Sequence, residues 1–339
     1  MARIVDVAER AGVSPMTVSR VLNGTGRVSP ATRERVLRAI EELNYVPNQI
    51  ARSLVQGHTN VLGLIIPDIT NPFFTTIARG VEDAARKSHY KVLLCNSDED
   101  PKKEREYIET LVASKVDALV MAPVGDSSKG SLDFLQSNQV PVVLVDRRVE
   151  GVDDVDLVTS DSVAGTRALV EHLLGLGHRR IALVAGPQTI STARDRRRSF
   201  LETVAAAGVE HDPSLEVEVP YTKEGGMMAS RTILELPERP TAVFCSNNAQ
   251  AVGLVLGFRQ AGVRIPDEIA VCCFDDVELA SMLDPFLTVT QQPAYTFGTI
   301  AVQLLLERME GNVTIPRRVV LEPTLTIRRS TIGGSTKRR

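Results

Sequence analysis

Residues 4–23 read IVDVAERAGVSPMTVSRVLN, and this stretch decides the N-terminal fold. Ile4, Val5, Val7, Ala8 and Ala11 recur at helical spacing. Gly12 stops that helix, because the position calls for a residue tolerant of positive φ. Ser14 then caps a second helix and Pro15 takes its first position, where a missing N–H costs nothing. Val18, Val21 and Leu22 form its apolar face. Ser29-Pro30 repeats the device and opens a third helix with Val36, Leu37, Ile40 and Leu43 inward, and Pro47 ends the unit. Residues 1–46 are therefore expected to be a minimal three-helix bundle. Small Ala8 at the crossing and Gly12 in a tight turn suit a helix-turn-helix.

The second helix offers a groove-reading surface through Pro15, Met16, Thr17, Ser19, Arg20 and Asn23. Arg20 can pair bidentately with a guanine edge. Thr17, Ser19 and Asn23 suit phosphate or base contacts, and Pro15 and Met16 can meet thymine methyls. Taken alone, the pattern also fits a small bundle that binds protein or nothing. Charge leans toward a polyanion. Residues 1–57 carry eight Arg against five Asp or Glu, on a chain whose net charge is −3.

From Val61 the texture changes. Strand-length apolar runs recur at Val61–Ile66, Val92–Cys95, Ala118–Met121, Val140–Val145, Ile181–Ala185, Ala242–Cys245 and Ile269–Phe274, with amphipathic helical stretches between them. This alternation predicts parallel sheets covered by helices on both faces. The strands are too many for one sheet, and an acidic break near Val149–Asp156 divides them. The expectation is an α/β body over 61–328, made of two doubly wound subdomains. The first takes about 61–160 plus 293–328 and the second about 161–292. Residues 47–60 (PNQIARSLVQGHTN) form a connector too short to hold a helix alone, and residues 329–339 a flexible tail without a leucine heptad.

Ligands of such sheets bind at the C-terminal ends of the strands. Polar groups follow nearly every predicted strand: Asp68, Asn71, Phe73 and Phe74; Asp146 and Arg147; Ser191, Thr192, Arg194 and Arg196; Asn247 and Asn248; Asp275 and Asp276; Gln292. Carboxylates, amides, guanidinium groups and aromatic faces at one mouth suit a polyhydroxylated ligand.

Other classes find little support. GxGxxG after a strand, GxxxxGK[ST], HExxH and GxSxG are absent, and no cofactor, metal site or catalytic set is expected. The four cysteines lack CxxC spacing and read as buried thiols. His172 and His178 read as structural. No apolar run reaches membrane-spanning length and no secretory segment opens the chain, so a cytoplasmic protein without a membrane partner is expected. The alternatives are a sugar-binding protein without a regulatory role and an α/β enzyme. The first would need a signal peptide and no head.

IVDVAERAGVSPMTVSRVLN at 4–23, VSPATRERV at 28–36 and ELNYVPN at 42–48 resemble, in order, the head of the LacI/GalR (lactose repressor) family, and the resemblance runs to about Arg328. It implies a sequence-specific repressor controlled allosterically by a small molecule. It makes the connector a hinge helix that folds on operator DNA, with Leu54 wedged into the minor groove and Ala51 beside it. An apolar wedge of that kind kinks a duplex. Arg27, Thr32, Tyr45 and Asn48 match positions that hold the DNA backbone. A homodimer on a palindromic operator follows from the short reach of one head. The body resembles periplasmic sugar-binding proteins, with Asp68, Phe73, Asp146, Arg196, Asn247, Asp275 and Gln292 on effector-contacting positions. The NPFF motif at 71–74 with Asp146-Arg147 resembles ribose-binding proteins in particular, with Tyr221 at an aromatic position, and implies a pentose-like ligand. Two departures stand out: Ala122 or Pro123 where a polar residue is expected, and Asn248 where an Asp is common.

Overall fold

A computed structural model describes residues 2–45, 58–311 and 315–332. The chain divides into two compact units, Met1–Thr59 and Asn60–Arg339.

The head consists of α1 (Ile4–Ala11), α2 (Pro15–Asn23) and α3 (Pro30–Glu42). Gly12 closes α1 at φ 63°, and its N–H donates to the Ala8 and Glu9 carbonyls. Ser14 and Ser29 accept from the backbone N–H groups of Thr17 and Thr32, so both caps form on the side chains that the sequence offers. Val7, Ala8, Ala11, Val18, Val21, Val36 and Ala39 make the core. Leu37 departs from expectation: it is 51% exposed. The inward stripe of α3 runs Val36, Ala39, Ile40, Leu43 at helical spacing, and Leu37 sits one step, about 100°, off it.

The described part of the body holds two six-stranded sheets. The first has order β11-β5-β4-β3-β1-β2, where β1 is Val61–Ile66, β2 Lys91–Asn96, β3 Ala118–Met121, β4 Val142–Val145, β5 Asp156–Ser160 and β11 Arg318–Leu321. All its pairings are parallel. The second has order β12-β10-β9-β8-β6-β7, where β6 is Ile181–Ala185, β7 Glu216–Glu218, β8 Ala242–Cys245, β9 Ala270–Phe274, β10 Thr288–Gln291 and β12 Thr324–Thr326. Only β12 runs antiparallel, against β10.

In the first lobe, α4 (Pro72–Lys87) and α12 (Ala294–Met309) cover one face, and α5 (Pro101–Ala113) with α6 (Lys129–Ser137) the other. In the second, α9 (Lys223–Leu234) and α10 (Asn248–Gln260) lie opposite α7 (Ser162–Gly175) and α8 (Ser191–Ala206). The short α11 (Glu278–Leu283) follows β9. Because helices bury both faces, the central strands are apolar along their whole length.

The chain passes between the lobes three times, at Asp161, at Gln292-Pro293 and at Glu322-Pro323. The third passage corrects the expected boundary, since Thr324–Thr326 pairs with Val289–Gln291 and belongs to the second lobe. The expected tail also starts later. Ser330 is fully buried, accepts from Thr288 N at 2.8 Å and donates to Val271 O at 2.6 Å. Its carbonyl accepts from Val271 N, and Thr331 bonds His172 Nε2 at 2.8 Å. These hydroxyl residues complete the β9–β10 end of the sheet, so polarity at 330–331 marks satisfied backbone and not a loose terminus. Residues 333–339 lie outside the described part.

Candidate functional site

Strand order reverses between β1 and β3 in one lobe and between β6 and β8 in the other, and the C-terminal strand ends of both face one cleft. Its cavity measures about 320 Å³. Asp68, Asn71, Phe73, Phe74, Asp146, Arg147, Thr192, Arg196, Tyr221, Asn247 and Asp275 line it, so most of the cleft residues expected from sequence come together. Gln292 stands behind them and donates to Asp275 Oδ1 at 2.8 Å.

Two aspartates set the frame. Asp146 follows β4 and Asp275 follows β9, equivalent places in the two sheets, and each adopts a left-handed conformation, φ 66° and 68°. Both are held by backbone bonds, Asp146 N to Val158 O and Asp275 N to Thr290 O. A β-carbon disfavours that conformation, which persists where surrounding structure enforces it and concentrates at functional sites. Both carboxyls are buried. Burial pushes Asp275 up to about 6 although Arg196 and Gln292 pull it down. Burial likewise raises Asp146, against the pull of Arg147 and Arg196.

Arg196 is 2% exposed, lies over the Phe274 ring at 3.7 Å and donates to Ser246 O at 2.7 Å. Its Nε, like Arg147 Nε, Asp146 Oδ1 and Gln292 Oε1, is buried without a hydrogen-bond partner among the described residues. Buried polar atoms left open in this way ask for a guest that bonds them. Phe73 and Phe74 present an aromatic wall, edge to face at 5.1 Å. Gly186 lets Tyr221 into its place, since a β-carbon there would stand 2.2 Å from the ring.

Other expected residues serve the frame of the cleft. Asn71 and Asn248 exchange amide hydrogen bonds across the lobes, both at 3.1 Å. This contact gives Asn248 its use: it bridges and does not line the cavity. Arg194 pairs with Asp126, and Arg148, with Asp195 at 2.9 Å, forms a second bridge between lobes. Asp276 turns away from Asp275 and pairs with Arg328 at 2.6 Å. Ala122 is buried in the core, and the carbonyl of Pro123 accepts from Arg147 at 3.2 Å. Sequence reasoning missed Phe274, Ser246, Asp98 and Glu99. The last two sit in the acidic loop after β2, which has no signal beyond that of a solvated turn.

In the head, Pro15, Met16 (64%) and Arg20 are exposed on α2, with Thr17 and Ser19 half-buried. Asp6, Glu42 and Glu34 pair with Arg3, Arg10 and Arg38. Arg20, Arg27, Arg33 and Arg35 have no ion-pair partner among the described residues. The Thr32 hydroxyl bonds the hydroxyl of the cap residue Ser29 at 2.8 Å, and Tyr45 packs on the head core. Asn23 ends α2; its side chain, and the whole of Asn48, Ala51 and Leu54, lie outside the described residues.

Among the described residues no group of His, Cys, Asp or Glu is arranged to hold a metal, and no helix is long and apolar enough to cross a membrane. Cys245, Cys272 and Cys273 are buried, and burial pushes their thiols well up. Cys95 is only half-buried, because its strand stands at a sheet edge.

A capped helix-turn-helix head followed by two doubly wound lobes around a polar cleft defines the class of DNA-binding transcription regulators with an effector domain. Residues 3–48 match the bacterial regulatory proteins of the lacI family, and residues 170–331 match the periplasmic binding protein-like domain. The chain is 38% identical over 334 residues to the ribose operon repressor of Halalkalibacterium halodurans, covering 98% of each. It is similar in structure to the lac repressor dimer bound to operator and the anti-inducer ONPF (TM-score 0.85, 28% identity, covering 97% of this chain and 99% of that one). It is also similar to a LacI-family regulator of Enterococcus faecium with bound ribose (TM-score 0.72, 28% identity, covering 80% and 98%). The chain belongs to the lacI family of bacterial regulatory proteins, and it is a transcriptional regulator and not an enzyme.

Proposed function

We propose that this chain is a cytoplasmic homodimeric repressor whose cleft takes a neutral monosaccharide of pentose size and whose heads read a palindromic operator. The carrying observation is the set of buried, unpartnered polar atoms on Asp146, Arg147, Arg196 and Gln292 around a cavity of about 320 Å³. Carboxylates that accept from hydroxyls, guanidinium groups that donate to them and a phenylalanine wall for C–H faces together suit a sugar. The ribose operon repressor among the relatives, and the bound ribose in the Enterococcus faecium regulator, support the pentose reading.

On the DNA side, Arg20 supplies base readout from α2, aided by Pro15, Met16, Thr17, Ser19 and Asn23. Arg27, Thr32, Tyr45 and Asn48 hold phosphates, and Ala51 and Leu54 enter the minor groove. Four head arginines without carboxylate partners among the described residues support this reading, since phosphate contacts supply much of such affinity. The sugar biases the relation of the two lobes, and with it the spacing of the paired hinge segments.

The test is fluorescence anisotropy of an operator duplex, selected from a random library, titrated with the full chain and a panel of neutral sugars led by D-ribose. One sugar should change operator affinity by about 5–150-fold. Arg196→Ala should erase that change while ligand-free operator binding survives. A panel without effect, or a full response in Arg196→Ala, refutes the reading.

A further inference from the structure

We propose that Glu99 makes the cleft selective for an uncharged sugar over its phosphorylated form, by occupying both outer nitrogens of Arg147. The proposal rests on the reading of the cleft as a sugar site. Arg147 is 2% exposed and would otherwise be a ready anion receptor, since a guanidinium fork matches phosphate geometry. Here its Nη1 and Nη2 each donate to a Glu99 carboxylate oxygen at 2.7 Å. The same Nη1 also reaches the Pro123 and Val124 carbonyls at 3.2 and 3.3 Å. Only Nε remains open, beside Asp146 Oδ2 at 3.6 Å.

The placement of Glu99 is enforced. Asp98 and Glu99 are consecutive non-glycine residues in the left-handed region, at φ 52° and 57°. Such a pair persists only where flanking structure holds it. Ser97 N bonds Ile66 O on one side, and Asp100 caps α5 through Lys102 N at 2.8 Å on the other. Asp98 pairs outward with Lys103, which leaves Glu99 for Arg147. Glu104, buried on α5, fixes the facing loop by accepting from Val124 N at 2.8 Å and Ser128 Oγ at 3.0 Å.

The result is a cleft with the wrong sign for an anion. Asp68, Asp98, Glu99, Asp146 and Asp275 line it against Arg147 and Arg196 alone. With Arg147 spent on Glu99 and Arg196 held through Nη1 on Ser246 O, a phosphate would meet five carboxylates against the one remaining guanidinium edge of Arg196. Like charge brought into a poorly solvated site is strongly disfavoured. A neutral polyol meets acceptors for its hydroxyls and bears no such cost.

The experiment is calorimetric titration of the full chain with D-ribose, D-ribose 5-phosphate and inorganic phosphate, for wild type, Glu99→Gln and Glu99→Gln/Arg147→Gln. Gln at 99 keeps one acceptor for Arg147, and circular dichroism checks the fold of each variant. Wild type should prefer ribose to its phosphate by at least about 100-fold and ignore inorganic phosphate. Glu99→Gln should shrink that ratio at least about tenfold and gain phosphate binding, and the double variant should lose the gain. Ribose binding with an unchanged ratio in Glu99→Gln overturns the role of Glu99 alone. If no variant takes up either sugar form, the sugar reading itself falls and carries this inference down with it.

Discussion

At the scale of single residues, Asp275 gives the cleft a pH dependence with two opposite signs. Its carboxyl is raised to about 6, by burial first, against the pull of Arg196 and Gln292 and with the push of Asp146 and Asp276. An unfolded aspartate titrates near about 4. The group therefore stabilises the empty body most below that value, and the contribution is lost as pH climbs through about 6. On the proposed reading sugar hydroxyls donate to the ionised form, so affinity should run the other way. It should be full above about pH 7 and fall toward tenfold per unit below about 6. Calorimetry from about pH 5 to about pH 8 should show that fall with proton release on binding, and Asp275→Asn should flatten it. A wild-type affinity level across the range removes Asp275 from ligand contact. The carboxylate itself was legible in sequence, because it follows an apolar run that only a covered strand explains. Glu99, the partner of Arg147, was not, since nothing in NSDEDPKK at 96–103 tells a turn acid aimed inward from one in solvent. That distinction is made by the backbone, in two left-handed residues.

Helices and strands differ in how well they announce themselves. The central strands β1, β3, β6, β8 and β9 were readable because helices bury both their faces, which makes them uniformly apolar. The marginal elements were not: β7 is Glu216-Val217-Glu218 and β12 is Thr324-Leu325-Thr326, short and polar as edges tend to be. Helix contacts are equally silent in a pattern of polarity. On α9 and α10 the glycines Gly226 and Gly253 face each other's helix. A β-carbon on Gly226 would stand 1.9 Å from Gln250 O, and one on Gly253 the same distance from Lys223 O. Backbone cannot yield as a flexible side chain does, so Gly226→Ala must separate the two helices. The cost should be about 1–3 kcal/mol, seen as a melting point lower by about 2–10 °C. The site should suffer as well. Gln250 on α10 donates to Ala185 O at 3.0 Å and Val219 O at 2.9 Å, and so ties the helix to the segment that carries Tyr221. Thermal melting and sugar titration of Gly226→Ala should thus weaken together. A variant as stable as wild type would mean that the helices have slack the backbone does not show.

On the scale of the body, the two lobes are joined by three short passages and by side-chain bridges, Asn71 to Asn248, Arg148 to Asp195 and Arg194 to Asp126. Asp146 comes from one lobe and Arg196, Asn247 and Asp275 from the other, so a guest that bonds them all couples the lobes whatever its identity. A ligand shifts such an equilibrium only by its difference in affinity for the two arrangements. If the head's grip on operator depends on the same equilibrium, the two binding events must influence each other by one factor, a consequence of closing the thermodynamic cycle. That equality is measurable. Sugar affinity taken by calorimetry, with and without saturating operator duplex, should change by the factor, about 5–150-fold, by which saturating sugar changes operator affinity in anisotropy. The direction is shared as well: a sugar that releases DNA must itself be released by DNA. Agreement within about twofold supports one coupled equilibrium through the lobes. Operator affinity that moves while sugar affinity stays put breaks the cycle, and would place the control outside this cleft.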